Sequence, residues 1–382
     1  MAPTKIYFLI ESLSGGGAEK VLSTLLQHLD YNKFEVNLCC VSDVGKYRET
    51  ILPNIHYTTI LPNSSTLKGW KLFIYKLKYH LIYTWLPHTW IYQWFLPNHA
   101  DVEIAFIEGF ATKLLAHSTN KKAKRIAWVH CDMQQFHWTK SIYNNIAEEE
   151  KTYQKYHQII TVSETVQKAF QNEFKNVTSP IKTLYNPINS LDILEKSRNT
   201  INIPPKKTNT IRLVSIGRLT TPKAYDRLLR IIKQLIQEKY YIELWLLGDG
   251  EQREILETYI KEKQLDEIVT LWGFQDNPYA YLAQSDLFVC SSISEGYSTA
   301  VTEALILGIP VITTNCSGMH ELLKDGEYGI ITENSEEALY KGLKQLLDHP
   351  LLLQYYKNKA VERGKNFSLK ELMEPIEKLL LE

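Results

Sequence analysis

Cysteine is scarce in this 382-residue chain: Cys39, Cys40, Cys131, Cys290 and Cys316 are odd in number, scattered and never spaced CxxC. That excludes a disulfide framework or a zinc knuckle and fits reduced, mostly buried thiols. Net charge is missing too, with 43 Lys and Arg against 43 Asp and Glu, so a strongly basic nucleic-acid binder is excluded. No Asp-x-Asp occurs to hold a diphosphate through a metal ion. No Gly-x-Gly-x-x-Gly opens a helix, which argues against a nicotinamide dehydrogenase, and no Gly-Lys-Ser/Thr completes a P-loop. The longest stretch free of Lys, Arg, Asp and Glu, Tyr79–Ala100, is broken by Pro87, Pro97, three histidines and Gln93, too polar for a transmembrane span. A leader of basic then apolar residues is also lacking, since the chain passes at once into the strand-like run Ile6–Ile10; a cytoplasmic location is expected.

What is present is an ordinary apolar fraction, 44%, and a length suited to two domains. Short apolar runs alternate with longer helical patterns, the mark of α/β units on parallel sheets wound on both faces. The predicted strands are Lys5–Ile10, Glu35–Val41, Val102–Phe106, Arg125–Val129 and Gln158–Val162 in the first half. Those of the second are Ile211–Ile216, Tyr241–Leu247, Val269–Leu271, Leu287–Cys290 and Val311–Thr314. Residues 199–209 are polar, contain Pro204-Pro205 and lack periodicity, so they read as a linker between domains 1–198 and 210–365, followed by a C-terminal helix in 366–382. Two doubly wound domains on one linker imply a cleft, with ligands beyond the carboxyl ends of the strands. The first 200 residues carry 22 Lys and Arg against 17 Asp and Glu, so the first half is the one expected to meet an anionic surface or substrate.

Residues 68–97 hold four of the eight tryptophans. As a helix they place Trp70, Phe73, Ile74, Leu77, Leu81 and Trp85 on one face, flanked by Lys71 and Lys78 on one side and Lys76 on the other. Two readings stand: an interfacial helix on an anionic bilayer, or a helical pair packed on the first domain and joined at Pro87-His88.

Three strand-end loops carry the chemistry. Gly15-Gly16-Gly17 lies between the first strand and a helical run from Lys20 to Leu29, allowing close backbone approach next to a helix N-terminus. After the strand ending at Ile216, Gly217-Arg218 and Lys223 bring a planar guanidinium and an ammonium into one loop ahead of the helix Tyr225–Gln237, suited to a diphosphate. After Cys290, the loop holding Glu295-Gly296 leads into a helix from about Ser298 to Leu307, stopped by Gly308 and Pro310. The amides of Tyr297, Ser298 and Thr299 are expected to be free donors at its positive end, with Glu295 before them and Glu303 in the helix for hydroxyl groups.

Glu295-x7-Glu303, with Arg218 and Lys223 upstream and Gly16-Gly17-Ala18-Glu19 in the first loop, resembles family 4 of the retaining glycosyltransferases over nearly the whole chain. The resemblance implies the GT-B architecture, two Rossmann-like domains facing a central cleft. It also implies that Arg218 and Lys223 neutralise a donor diphosphate, that Glu295 holds sugar hydroxyls and that Glu303 binds the ribose. Gly296, Tyr297, Ser298 and Thr299 would wrap sugar and phosphate, Gly16 and Gly17 would close the site, and Gly217, Gly248 and Phe274 would line the nucleotide pocket. His130, at the end of a first-half strand, falls where the family has a histidine near the anomeric centre; Asp132 is a weaker acceptor-side candidate. Ala224 and Ser298 stand where the family often has glycine.

The implied activity is retaining, metal-independent transfer of a hexose or N-acetylhexosamine, needing no cofactor. The donor is a nucleoside diphosphate sugar, UDP favoured over GDP. The acceptor is a saccharide or lipid-linked saccharide in surface polysaccharide biosynthesis, with peripheral contact to the inner face of an anionic membrane. A nucleotide-sugar epimerase or hydrolase of the same architecture, or a non-catalytic sugar-nucleotide binding protein, remains the alternative.

Overall fold

Strands buried on both faces read as unbroken apolar runs, and such runs build the centre of both sheets here. In the computed structural model, which describes residues 2–96 and 99–382, the chain forms two α/β units. Pro97, at the end of the aromatic stretch, lies outside the described residues.

The first unit comprises Met1–Pro187 and Lys370–Glu382. Its strands are β1 (Thr4–Ile10), β2 (Phe34–Ser42), β3 (His56–Leu61), β4 (Val102–Ala105), β5 (Lys124–Val129), β6 (Gln158–Thr161) and β7 (Ile181–Thr183). All pair in parallel, in the order β3-β2-β1-β4-β5-β6-β7. The helix Leu369–Leu381 belongs to this unit: Glu377 receives Lys33 Nζ at 3.3 Å, and Lys124 Nζ donates to the Leu379 carbonyl at 3.2 Å.

The second unit, Ile188–Leu369, holds β8 (Ile211–Ile216), β9 (Ile242–Leu247), β10 (Val269–Gly273), β11 (Leu287–Cys290), β12 (Val311–Thr314) and β13 (Ile330–Thr332). They too are parallel, ordered β10-β9-β8-β11-β12-β13. Its core packs the helix Tyr225–Gln237, through Leu228, Leu229, Ile232 and Leu235, on Leu213, Leu244 and Leu246. The division falls at Pro187–Ile188, ahead of the expected linker, because the helix Ser190–Lys196 goes with the second unit; Asn277 Nδ2 ties it there by donating to the Lys196 carbonyl at 2.8 Å.

β3, β7 and β13 were not expected from the sequence. Each is an edge strand, and each is largely only part-buried, so no apolar run marks it.

Candidate functional site

In each sheet the order reverses beside the strand that begins the unit, between β8 and β11 in the second and between β1 and β4 in the first. Loops leaving two such strands diverge, and the crevice they open is where open α/β sheets bind ligands.

At the β8/β11 reversal the structure brings together residues 72 apart in sequence: Lys223 Nζ lies 2.5 Å from Glu295 Oε1. The same oxygen accepts from Ser292 Oγ at 2.6 Å and lies 3.9 Å from Cys290 Sγ. Glu295 Oε2 makes no hydrogen bond to any described residue. The carboxylate is thereby fixed through one oxygen, with the other left open, on a side chain 10% exposed. Burial works against the Lys223 ammonium, but the Glu295 carboxylate, with Cys290 and Tyr225 adding to it, outweighs that cost and holds the lysine pKa above its ordinary value. Arg218, in the same loop, is exposed, and its guanidinium has no hydrogen-bond or ion-pair partner among the described residues.

Backbone contacts lock these loops to each other. The Ile293 amide donates to the Pro222 carbonyl at 2.7 Å and Ser291 Oγ to the Lys223 carbonyl at 2.8 Å. Arg227, buried beneath them, donates to the carbonyls of Ser291 and Ser292. Gly217 leaves room for Lys223: a Cβ there would meet Lys223 Cε at 3.1 Å and Tyr225 Oη at 3.0 Å. Ala224, at φ +49°, adopts the left-handed conformation that glycine takes without strain, which gives the family's glycine at this position a physical meaning.

The helix after Glu295 runs Thr299–Ile306, and Ser298 Oγ caps it by accepting from the Val301 amide at 3.4 Å. Gly296 and Tyr297 both have partners. Glu303 is 1% exposed within the helix and is also partnered. After β9 and β10, the Gly248 amide donates to the Gly273 carbonyl at 2.8 Å, which puts Phe274 at the same carboxyl-terminal end of the sheet as Gly217. Trp272 packs edge-on to Trp245 at 5.5 Å with its Nε1 buried and unbonded.

In the first unit Gly15 takes φ +105°, Gly16 is the N-cap and Gly17 begins the helix Gly17–His28, three residues ahead of expectation. Glu19 is buried in its first turn and accepts from Ser14 Oγ at 3.2 Å. His130 follows β5, its ring tilted against that of Phe106 at 5.0 Å, with Nε2 buried and unbonded. Burial depresses its pKa to about 3, against a contact with the Phe106 carbonyl, so the ring is neutral at physiological pH. Asp132 is a turn cap, not a free acid: its Oδ1 accepts from the amides of Gln134 and Gln135, both at 2.9 Å.

Two acids that sequence reasoning passed over stand beside these residues. Glu108, fully buried after β4, accepts the amides of His130 at 2.5 Å and Cys131 at 2.7 Å through Oε1, while Oε2 is unbonded. Burial pushes it to about 7, against those amide bonds. Glu11, after β1, is likewise pushed to about 7 by burial, opposed by the hydrogen bond that Tyr83 Oη donates to it. Strand-end position was the one signal available for either.

These shifts set a pH dependence. A carboxyl with a raised folded-state pKa stabilises the fold relative to its ionised form fully below the ordinary carboxylate range, and that contribution is lost as pH rises through about 7. His130, with a lowered pKa, acts oppositely: its contribution is fully present above the ordinary histidine value and is lost from there as pH falls toward 3. The carboxyl contribution should therefore fall between pH 5.5 and pH 8, opposed over the same range by the rings of His130 and His88, both depressed by burial, so the test isolates one carboxyl. Glu108→Gln should remove its share of that loss, about 2 kcal/mol between pH 5.5 and pH 8. Melting curves of the two proteins with the same alkaline slope would refute this assignment.

Among the described residues no group of three His, Cys, Asp or Glu side chains is placed to hold a metal ion. Residues 196–363 match the family model described as glycosyl transferases group 1, and residues 15–190 the one described as glycosyltransferase family 4. A curated relative, the N-acetylgalactosamine-N,N'-diacetylbacillosaminyl-diphospho-undecaprenol 4-alpha-N-acetylgalactosaminyltransferase of Campylobacter jejuni, is 30% identical across 99% of both chains. A putative colanic acid biosynthesis glycosyltransferase of Salmonella typhimurium is 31% identical over 37% of this chain and 38% of its own length. Among solved structures, Anabaena HepE in complex with UDP and glucose superposes with a TM-score of 0.77 at 17% identity over 99% of both chains. A point mutant of S. aureus TarM in complex with Fondaparinux, alpha-GlcNAc-glycerol and UDP gives 0.72 at 14%, covering 99% of this chain and 100% of that one. At such identities these two likenesses establish the shared GT-B fold.

Proposed function

Because the chain belongs to the group 1, family 4 glycosyltransferases, we propose that it moves a hexose or N-acetylhexosamine from a UDP-sugar to a saccharide or lipid-linked saccharide acceptor, with retention and without a metal ion, in surface polysaccharide assembly. The observation that carries this reading is the Glu295 carboxylate, pinned through Oε1 by Lys223 and Ser292 with Oε2 open, together with Arg218, in the same loop as Lys223 and unpaired among the described residues. An open carboxylate oxygen accepts from vicinal sugar hydroxyls. The two cations in the same loops meet the diphosphate one bond away.

In the transfer, the bond from the anomeric carbon to the diphosphate oxygen breaks as negative charge builds on the leaving group. Arg218 and Lys223 stabilise that charge, assisted by the positive end of the helix Thr299–Ile306. The acceptor oxygen bonds to the same face of the sugar, and its proton passes to the departing phosphate. To the acceptor side belongs the neutral His130 ring of the first unit, which Glu108 positions by holding its backbone amide. Glu303, buried, supports the ribose subsite. The polysaccharide context draws on relatives named for lipid-linked and colanic acid glycosylation.

Thermal-shift screening against UDP- and GDP-sugars tests the donor, since a ligand bound only by the folded state raises the melting temperature. A UDP-sugar should give the largest shift. Transfer should persist in EDTA, and NMR of the product should show the donor's anomeric configuration kept. Loss of turnover on chelation, restored by added Mg2+ or Mn2+, would overturn the metal-independent mechanism. Release of free sugar or an epimer without acceptor would favour the hydrolase or epimerase instead.

A further inference from the structure

The helix Trp70–His80 buries none of its residues. Trp70 is 69% exposed and Phe73 70%, and Ile74 and Leu77 share their face at i+4 and i+7. An isolated amphipathic helix gains stability mainly by covering such a stripe, so a bare one calls for an occupant. Past the π-helical turn Leu81–Trp85, the helix His88–Phe95 is anchored inward by Ile91 and Tyr92 and presents Trp90 and Trp94 outward. Ile82 is buried, and Tyr83 stacks on Phe110 at 4.1 Å, so the segment is fastened to the first unit while its apolar side faces water.

Charge says what the occupant is. Between Glu49 and Asp101 the chain has no acidic residue, and its four lysines, Lys68, Lys71, Lys76 and Lys78, are all exposed on or next to this helix. Tryptophan and tyrosine at an apolar face rimmed by lysine match the boundary between headgroups and acyl chains, where rings enter and ammonium groups stay at the phosphates. Among the described residues no helix is long and apolar enough to cross a membrane, so the attachment is lateral.

We propose that the segment from Trp70 to Phe95 docks the protein on an anionic phospholipid surface. Trp70, Phe73 and Leu77 enter the interface, and Lys71, Lys76 and Lys78 pair with lipid phosphates. Docking is a property of this face alone and does not depend on the transfer reading, because its test needs no substrate.

Flotation of the full chain with vesicles of equal phosphatidylglycerol and phosphatidylcholine tests it. The protein should float with these vesicles, float far less with phosphatidylcholine alone, and release as salt rises. Lys71→Gln/Lys76→Gln/Lys78→Gln should weaken partitioning about a hundredfold, at roughly fivefold per lysine. Trp70→Ser/Phe73→Ser/Leu77→Ser should abolish flotation while leaving melting temperature and transfer to a water-soluble acceptor unchanged, since none of the three is buried. The proposal is overturned if the parent protein stays at the bottom of the gradient, or if the apolar triple variant floats like the parent. It is also overturned if light scattering shows a dimer that the triple variant converts to monomer without any flotation, which would assign the face to a second copy.

Discussion

Lys223→Ala should lower kcat at saturating donor by roughly a hundred- to a thousandfold, the usual effect of removing one group that stabilises developing charge in a transition state. Arg218→Ala should fall in the same range. The two changes differ in their structural side effects, which makes them a useful pair. Lys223 is the counterion of Glu295, which lies 2.5 Å away and is only 10% exposed, so its removal also leaves a carboxylate without its partner and with freedom to turn. Arg218 is exposed and unpartnered among the described residues, so its loss disturbs nothing else in the fold. Lys223→Ala should therefore lower the melting temperature as well as kcat, and Arg218→Ala kcat alone. Asp132→Ala supplies the control: it removes a turn cap, costs about 1 kcal/mol of stability, and leaves turnover within a few-fold. Steady-state kinetics at saturating donor decide the matter. Near-parental turnover in both cation variants would remove the diphosphate from these loops.

Gly248→Ala should be the most damaging single methyl in the second unit. Gly248 sits at φ +135°, and a Cβ there would lie 2.0 Å from the Gly217 carbonyl oxygen. Neither side can yield. The Gly217 amide is bonded to the Leu247 carbonyl at 3.0 Å and the Gly248 amide to the Gly273 carbonyl at 2.8 Å, so the strand-end turns of β8, β9 and β10 are stitched into one backbone unit. Strain and overlap together should cost about 3 kcal/mol or more, roughly 6–12 °C of melting temperature for a unit of this size. Because Gly217 borders Lys223, whatever folds should also bind donor more weakly. Gly69→Ala separates conformation from crowding: its backbone, at φ +57° and ψ −133°, lies in a region kept for glycine, but nothing lies within 4 Å of the added Cβ, so its cost, about 1–3 kcal/mol, is conformational alone. Similar melting temperatures for the two alanine variants would mean that the close approach at Gly248 does not constrain the site.

The central strands were legible because a doubly covered parallel strand must be apolar on both sides. β8, β11 and β12 are found with the residue limits read from the sequence. The edge strands β3, β7 and β13 were not, since one neighbour and partial cover leave no continuous apolar run. The same division runs through the site. Arg218, Lys223 and Glu295 were visible as polar residues where an apolar run stops. Glu108 was not, because what distinguishes it is burial against the amides of His130 and Cys131, and those come from a different strand. The aromatic segment was legible as an amphipathic stripe, whereas its exposure could not be read from periodicity, which is the same for a buried face and a bare one.

Local sequence determined which stretches become strand or helix and which polar side chains sit at their ends, because hydrophobic periodicity and turn chemistry act over a few residues. The folded sheets decided which of those ends meet. Placing β11 beside β8 rather than next in sequence brings Glu295 to Lys223, and placing β4 beside β1 sets Glu108 and Glu11 at one reversal. A carboxylate's partner, its remaining free oxygen and its proton affinity all depend on neighbours within a few ångströms, and strand order, not chain order, supplies those neighbours.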